Sequence, residues 1–223
     1  MKSERPLVIA GFAAISIVWG STWLAIKIGL ESISPVFGVA FRFTLAAIVL
    51  FVILRARGER LSFDRETLPV FLVLGVFSFS LPFVLVYWGE QYIGSGLASI
   101  LFATYPFVVA LFSHLFLPGE KLNAFKIAGI LLGFAGIVVI FWTDLSAGTA
   151  GFPGMAAILL STILQGFSLV TVKRTGKNIP PVQLTLGGMT ISVVVLWIMA
   201  FALEDVSALR FDAAGIGTIV YLG

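Results

Sequence analysis

Residues 69–89 read PVFLVLGVFSFSLPFVLVYWG, without one Asp, Glu, Lys or Arg. About 20 such residues carry a helix across the hydrocarbon core of a bilayer. A surface helix of a soluble protein would break that apolarity with a polar face. The same signature recurs on both sides of the stretch. Leu7–Gly29, Val36–Leu54, Pro69–Gly89, Ser95–Leu117, Phe125–Trp142, Gly154–Val172 and Leu184–Leu203 make seven complete spans, and an eighth begins near Ala213. Lys2 and Arg5 precede the first run as in a signal peptide. That run is too long for a cleaved apolar region, and further spans follow it, so it is read as retained.

Composition supports the spans. The hydrophobic set makes up 59% of the 223 residues and charged residues only 11%, whereas soluble domains carry about a quarter charged. Soluble enzymes, nucleic-acid binders and disordered chains are thereby excluded as classes. There is no cysteine, which removes disulfides and thiolate chemistry, and a single histidine, His114, rules out a multi-histidine metal centre. No cofactor is expected. The expected fold is an all-α polytopic membrane bundle whose partners are the lipid bilayer and a small-molecule substrate, with a homodimer left open.

The basic residues set the orientation. Lys2, Arg5, Arg55, Arg57, Arg60, Arg65, Lys121, Lys126, Lys173, Arg174 and Lys177 fall in the termini and loops of one side. The opposite loops, around Glu31, Glu90–Tyr92, Asp144 and Glu204–Asp212, hold only Arg210. Eleven against one predicts a cytoplasmic N-terminus. Lys27 and Arg42 lie inside spans.

The chain also repeats itself. An offset of 146 lays Gly20, Lys27, Pro35, Val36 and Thr44 on Gly166, Lys173, Pro181, Val182 and Thr190, with ten identities over residues 10–51. Leu61-Ser62-Phe63-Asp64 then pairs with Leu209-Arg210-Phe211-Asp212 at an offset of 148. A unit of five spans is odd in number, so its second copy is inverted, a plan shared by many secondary transporters. The reading is a first five-helix repeat over 1–145 and an incomplete second over 146–223. Completing it would take roughly 70 residues and give ten helices in place of seven and part of an eighth.

Specific residues then carry a resemblance. Trp19-Gly20-Ser21-Thr22-Trp23, Phe41-Arg42-Phe43, the stretch from Gly96 through Thr104-Tyr105-Pro106, and Gly119-Glu120-Lys121-Leu122 together resemble the EamA-type drug/metabolite transporters. The resemblance covers the whole chain and is most specific in its first half. It implies ten helices with both termini cytoplasmic and movement of small metabolites across the inner membrane, commonly outward. It also implies three further spans, which would make this sequence a C-terminally truncated member.

Eight residues are candidates for substrate contact. Arg42 lies about 9 Å below the outer end of span two, where an arginine costs a few kcal/mol unless it faces protein or a wet cavity. Its planar fork suits a carboxylate or phosphate. The competing readings are a structural pair with Glu90 and snorkelling to the interface. Lys27 is better read as a snorkelling side chain near Glu31. Trp19 could stack on a substrate or simply pack, and Thr22 more commonly bonds the backbone one turn back. Tyr87, Glu90 and Gln91 cluster at the outer end of span three, where aromatic residues often anchor the interface. There Glu90 could bind a proton or an amine. Tyr105 precedes Pro106 halfway through span four, a bend of the kind that lines transporter sites. Gln165 occupies the slot of Trp19 in the second repeat, where a neutral amide supplies either specificity or interhelical glue.

Catalysis finds little to work with. No span holds an Asp or Glu at mid-depth, and no nucleophile–base set or phosphate-cradling motif occurs. The expectation is a non-enzyme without catalytic or metal residues. The leading function is a transporter of metabolites or drugs, exporting by alternating access. A channel and a non-transporting scaffold or sensor subunit are the alternatives.

Overall fold

The computed structural model describes residues 5–120, 122–145, 149–176 and 178–223. Lys2, Lys121 and Lys177 of the charge pattern, and the Asp144 side chain, lie outside the described residues, as do residues 146–148 after the repeat boundary. Ten α-helices and no strand form among the described residues: α1 (Arg5–Gly29), α2 (Pro35–Ala56), α3 (Thr67–Leu74), α4 (Leu81–Gly89), α5 (Ser95–Phe102), α6 (Tyr105–Phe116), α7 (Ala124–Leu145), α8 (Phe152–Thr175), α9 (Pro181–Leu203) and α10 (Ala213–Leu222).

The stretches Val8–Gly29, Pro35–Ala56, Thr67–Gly89, Ser95–Phe116, Phe152–Thr175 and Pro181–Leu203 are each long and apolar enough to cross a membrane. The fifth expected span coincides with α7, and the partial eighth with α10. This is a multi-pass membrane protein.

Two spans are interrupted, each at a proline. Span three is α3 and α4 joined by a π-helical turn over Gly75–Ser80, just before Pro82. Proline cannot donate to the carbonyl one turn back, and the widened turn is held by other bonds. Ser80 Oγ donates to the Gly75 carbonyl at 2.8 Å and lies 3.0 Å from Ser192 Oγ, while Ser78 Oγ reaches Ser168 Oγ at 2.7 Å. The sequence reads Pro69–Gly89 as one continuous span; the π turn within it is the difference. Span four breaks at Ala103-Thr104, so that Tyr105 and Pro106 open α6. This is where Pro106 was expected to bend it.

Helix ends show why the chain turns where it does. After α2, Gly58 adopts φ 72°, which glycine tolerates without strain. Its N–H reaches the Arg55 carbonyl at 3.0 Å, and Glu59 N–H reaches Leu54 at 3.1 Å, a Schellman closure. The start of α2 is capped from far along the chain. The Glu204 carboxylate accepts from Ser34 Oγ at 2.7 Å, Val36 N–H at 2.9 Å and Phe37 N–H at 3.0 Å. These are orphan donors at a helix N-terminus, where negative charge is favoured.

Packing pairs α2 with α9, α4 with α8, α1 with α10, and α6 with α8. Gly89 and Gly154 bring α4 and α8 so close that an added Cβ on either would sit under 3 Å from the other's carbonyl oxygen. The buried core gathers Trp23 and Ile26 of α1, Val39, Ala40 and Phe43 of α2, Val86 and Tyr87 of α4, Leu101 of α5, Met155 and Ile158 of α8, and Leu196 of α9. The cavity described next opens directly beside it.

Candidate functional site

A cavity of about 470 Å³ lies among α1, α2, α4, α5 and α8. That volume falls within the range of small-molecule sites. Its longest wall is α1, which contributes Ala14, Ile15, Val18, Trp19, Thr22, Trp23 and Ile26, a strip of about 18 Å at 1.5 Å per residue. Arg42 enters from α2, Phe83 and Val86 from α4, Phe102 from α5 and Gln165 from α8.

Arg42 has little to hold it. Its guanidinium stands over the Phe83 ring at 5.0 Å and near Phe43 at 5.7 Å, with Tyr87 alongside. Nη1 is buried and has no protein hydrogen-bond partner. Cation–π contacts contribute about 0.5–2 kcal/mol, and Tyr87 engages the guanidinium by a side-chain hydrogen bond, yet Nη1 itself stays unmet. The rings therefore position the guanidinium and leave Nη1 without an acceptor. Gln165 repeats the situation: Nε2 is buried and unpartnered in the same cavity. An unmet buried donor costs about 1–3 kcal/mol. Both residues line one cavity, and their unmet donors are the groups that a bound acceptor would satisfy.

The expected candidates separate into three groups. Trp19, Thr22, Arg42 and Gln165 share the cavity wall. Trp19 is 58% exposed at its rim, and the Thr22 hydroxyl donates to the Val18 carbonyl at 2.9 Å, the backbone bond weighed for it. Tyr105 stands one ring behind the wall, stacked on Phe102 at 5.7 Å, while Phe102 meets Trp23 at 5.1 Å. Tyr87, Glu90 and Gln91 are not on the wall. Tyr87 is buried between α4 and α2, its ring against Gly38, and Gln91 is exposed on the turn after α4.

Glu90, on that same turn, is wholly buried, and neither carboxylate oxygen has a protein partner. The structural pair weighed for Arg42 is therefore not formed. Burial pushes the Glu90 carboxyl up to about 8, with the nearby Lys27 ammonium opposing it. Lys27 does not snorkel and does not pair with Glu31. Its Nζ donates to the backbone carbonyls of Glu90 and, at 3.0 Å, Ile93, tying α1 to the turn between α4 and α5.

Sequence reasoning passed over Phe83, Val86 and Phe102, because an aromatic or valine in an apolar helix looks the same whether it packs or lines a cavity. One signal was available for Phe102. It is the last residue of α5 before the break imposed by Pro106, where backbone and side chain are turned away from regular packing.

Comparisons with known proteins agree with this architecture. A solved crystal structure superposes with a TM-score of 0.68 at 24% identity, covering 95% of this chain and 72% of the other, which establishes the shared fold. The chain is 26% identical over 217 residues to the Uncharacterized transporter YoaV of Bacillus subtilis, covering 97% of this chain and 74% of that protein. It is 29% identical over 213 residues to Protein PagO of Salmonella typhimurium, covering 95% and 70%. It is 32% identical over 206 residues to the Uncharacterized inner membrane transporter YedA of Escherichia coli, covering 92% and 65%. The model of the EamA-like transporter family matches residues 7–142, most of the chain and four of the five helices around the cavity, so the chain belongs to the EamA-like transporter family.

Proposed function

We propose that this protein is a transporter that exports small metabolites or drugs across the cytoplasmic membrane by alternating access. The observation that carries the reading is the cavity in which Arg42 and Gln165, from helices far apart in the chain, both present unpartnered donors. A substrate held between two groups of helices is released when those groups rock against each other.

Several features support two related halves, 1–145 and 146–223, in inverted arrangement. Under the 146-residue offset α1 corresponds to α8 and α2 to α9, and the 148-residue offset relates α3 to α10. The pairing of α1 with α10 then maps onto that of α8 with α3, and the α2–α9 pair maps onto itself. The loop match behaves alike in both copies. Asp64 Oδ1 accepts from Thr67 N–H at 2.8 Å and Asp212 Oδ1 from Gly215 N–H at 2.7 Å, each capping the helix three residues on. The positive loops support a cytoplasmic N-terminus. A bound substrate in place of a reaction fits a wall whose described residues carry a guanidinium, an amide, a hydroxyl and two indoles, with no carboxylate or imidazole among them.

Flux into liposomes holding the purified protein tests the proposal, using radiolabelled organic acids, amino acids and sugars as the panel. Saturable flux of at least one class is expected, and Arg42→Ala should abolish it while the folded yield stays unchanged. Unsaturable ion current would favour a channel. Absence of flux together with a stably co-purifying protein would favour a scaffold or sensor subunit.

A further inference from the structure

The cavity's polar chemistry is one-sided. Arg42 Nη1 and Gln165 Nε2 are donors without partners, and the indole nitrogens of Trp19 and Trp23 can only donate. The Thr22 hydroxyl donates to Val18 and keeps only its oxygen lone pairs, a neutral acceptor that carries no charge to set against the guanidinium. No carboxylate lines the wall; Glu90, the buried acid on the turn after α4, is not part of it. An ammonium entering here would meet a guanidinium of like sign and no anion. Even with the Gln165 amide turned over, its one carbonyl cannot offset that repulsion at low dielectric. The remainder of the wall is aromatic and aliphatic and favours an apolar body.

We propose that this cavity selects small monoanionic carboxylates with an apolar or aromatic body and rejects the matching amines. The proposal deepens the transport reading and rests on it. A single guanidinium sets the charge: it neutralises one carboxylate in bidentate fashion, whereas a phosphate monoester carries close to two charges at neutral pH. The second would stay unpaired among the Phe83, Phe102 and Trp23 rings. Gln165 reaches the ligand from the α8 side, so the carboxylate bridges α2 and α8.

The test uses the full chain in phosphatidylcholine nanodiscs, which contain no anionic lipid to compete. Tryptophan fluorescence excited at 295 nm is followed during titration with 3-phenylpropionate, 3-phenylpropylamine and 3-phenylpropanol. Saturable binding of the acid is expected, with the alcohol weaker and the amine undetected. Arg42→Gln should weaken acid binding by about ten- to a hundredfold and leave the alcohol unchanged, and Gln165→Leu should weaken the acid several-fold. Should Arg42→Gln fail to fold, the acid-to-amine ratio of the unmodified protein and the Gln165→Leu variant decide. Amine binding equal to the acid, no acid binding, or acid binding indifferent to both substitutions overturns the proposal. Selective acid binding without flux would keep this site and remove the transport reading; saturable flux of amines without acid binding would do the reverse.

Discussion

Helices α1 and α8 carry the same landmarks in the same order, Gly20 and Lys27 on one, Gly166 and Lys173 on the other, yet they occupy opposite surroundings. Helix α8 is wedged between α4 and α6, and a Cβ added at Gly166 would stand 2.7 Å from Val108 Cγ1 of α6. At Gly20 the same atom would meet nothing within 4 Å. The slot before each glycine follows suit: Trp19 is largely exposed at the cavity rim, while Gln165 aims a buried amide into the same cavity. Similar sequence therefore lays down similar helices, and the neighbours decide whether a small residue is a packing requirement or merely a gap.

The largest expected effect follows from those glycines. Gly166→Ala should destabilise the protein by about 1–3 kcal/mol, because Val108 is β-branched and has little rotamer freedom with which to retreat. Gly20→Ala should stabilise by about 0.5–1 kcal/mol through helix propensity alone. Thermal unfolding of the two variants in one detergent compares them directly. Equal shifts would mean that α1 is as tightly covered as α8 and would erase the contrast.

The two lysines should differ by less. Lys27 is partly buried and serves two backbone carbonyls, and a hydrogen bond from a charged donor contributes about 1.5–3 kcal/mol. Lys173 pairs with Glu120 at 2.9 Å, with both side chains about half exposed, and surface pairs contribute about 0–1 kcal/mol. Lys27→Met is expected to lower the unfolding midpoint clearly and Lys173→Met hardly at all. A larger loss at Lys173 would show that the pair between α8 and the loop after α6 is a main tie of the bundle.

What was legible in the sequence divides along the same physical line. Spans were legible because membrane crossing demands a continuous apolar run, and the break at Pro106 because proline forbids a regular turn. Arg42 and Gln165 stood out because polarity in mid-membrane is costly. The cavity's aromatic walls were hidden, since Phe83 and Phe102 satisfy the same hydrophobic demand wherever they point. Lys27 was misjudged for a related reason. Helical spacing exposes a neighbour such as Glu31, whereas the acceptors it uses are main-chain carbonyls brought close only by the α4–α5 turn. Long-range caps escaped notice as well. Nothing near Ser34 in the chain indicates that Glu204 closes the start of α2.

The smallest expected effect concerns the glutamate beside each lysine. Glu120, exposed, is held below the ordinary carboxylate range first by its hydrogen bond from Lys173 and then by that residue's charge. Glu90, buried, is raised from 4.5 to about 8, because desolvation outweighs the pull of Lys27. The two should act on stability with opposite signs. For Glu90 the folded state binds the proton more tightly than the unfolded chain does, so its contribution is fully present below about pH 4.5 and is lost as pH rises through 8. For Glu120 the contribution is present above 4.5 and is lost as pH falls below the ordinary carboxylate range. Unfolding midpoints measured from pH 4 to 9 should therefore decline between about 4.5 and 8 in the unmodified protein and level off above that. Glu90→Gln should flatten the decline, and Glu120→Gln should leave it intact. A decline that survives Glu90→Gln would place the titrating group elsewhere and leave Lys27 bonded to its carbonyls for reasons unconnected with the carboxyl beneath it.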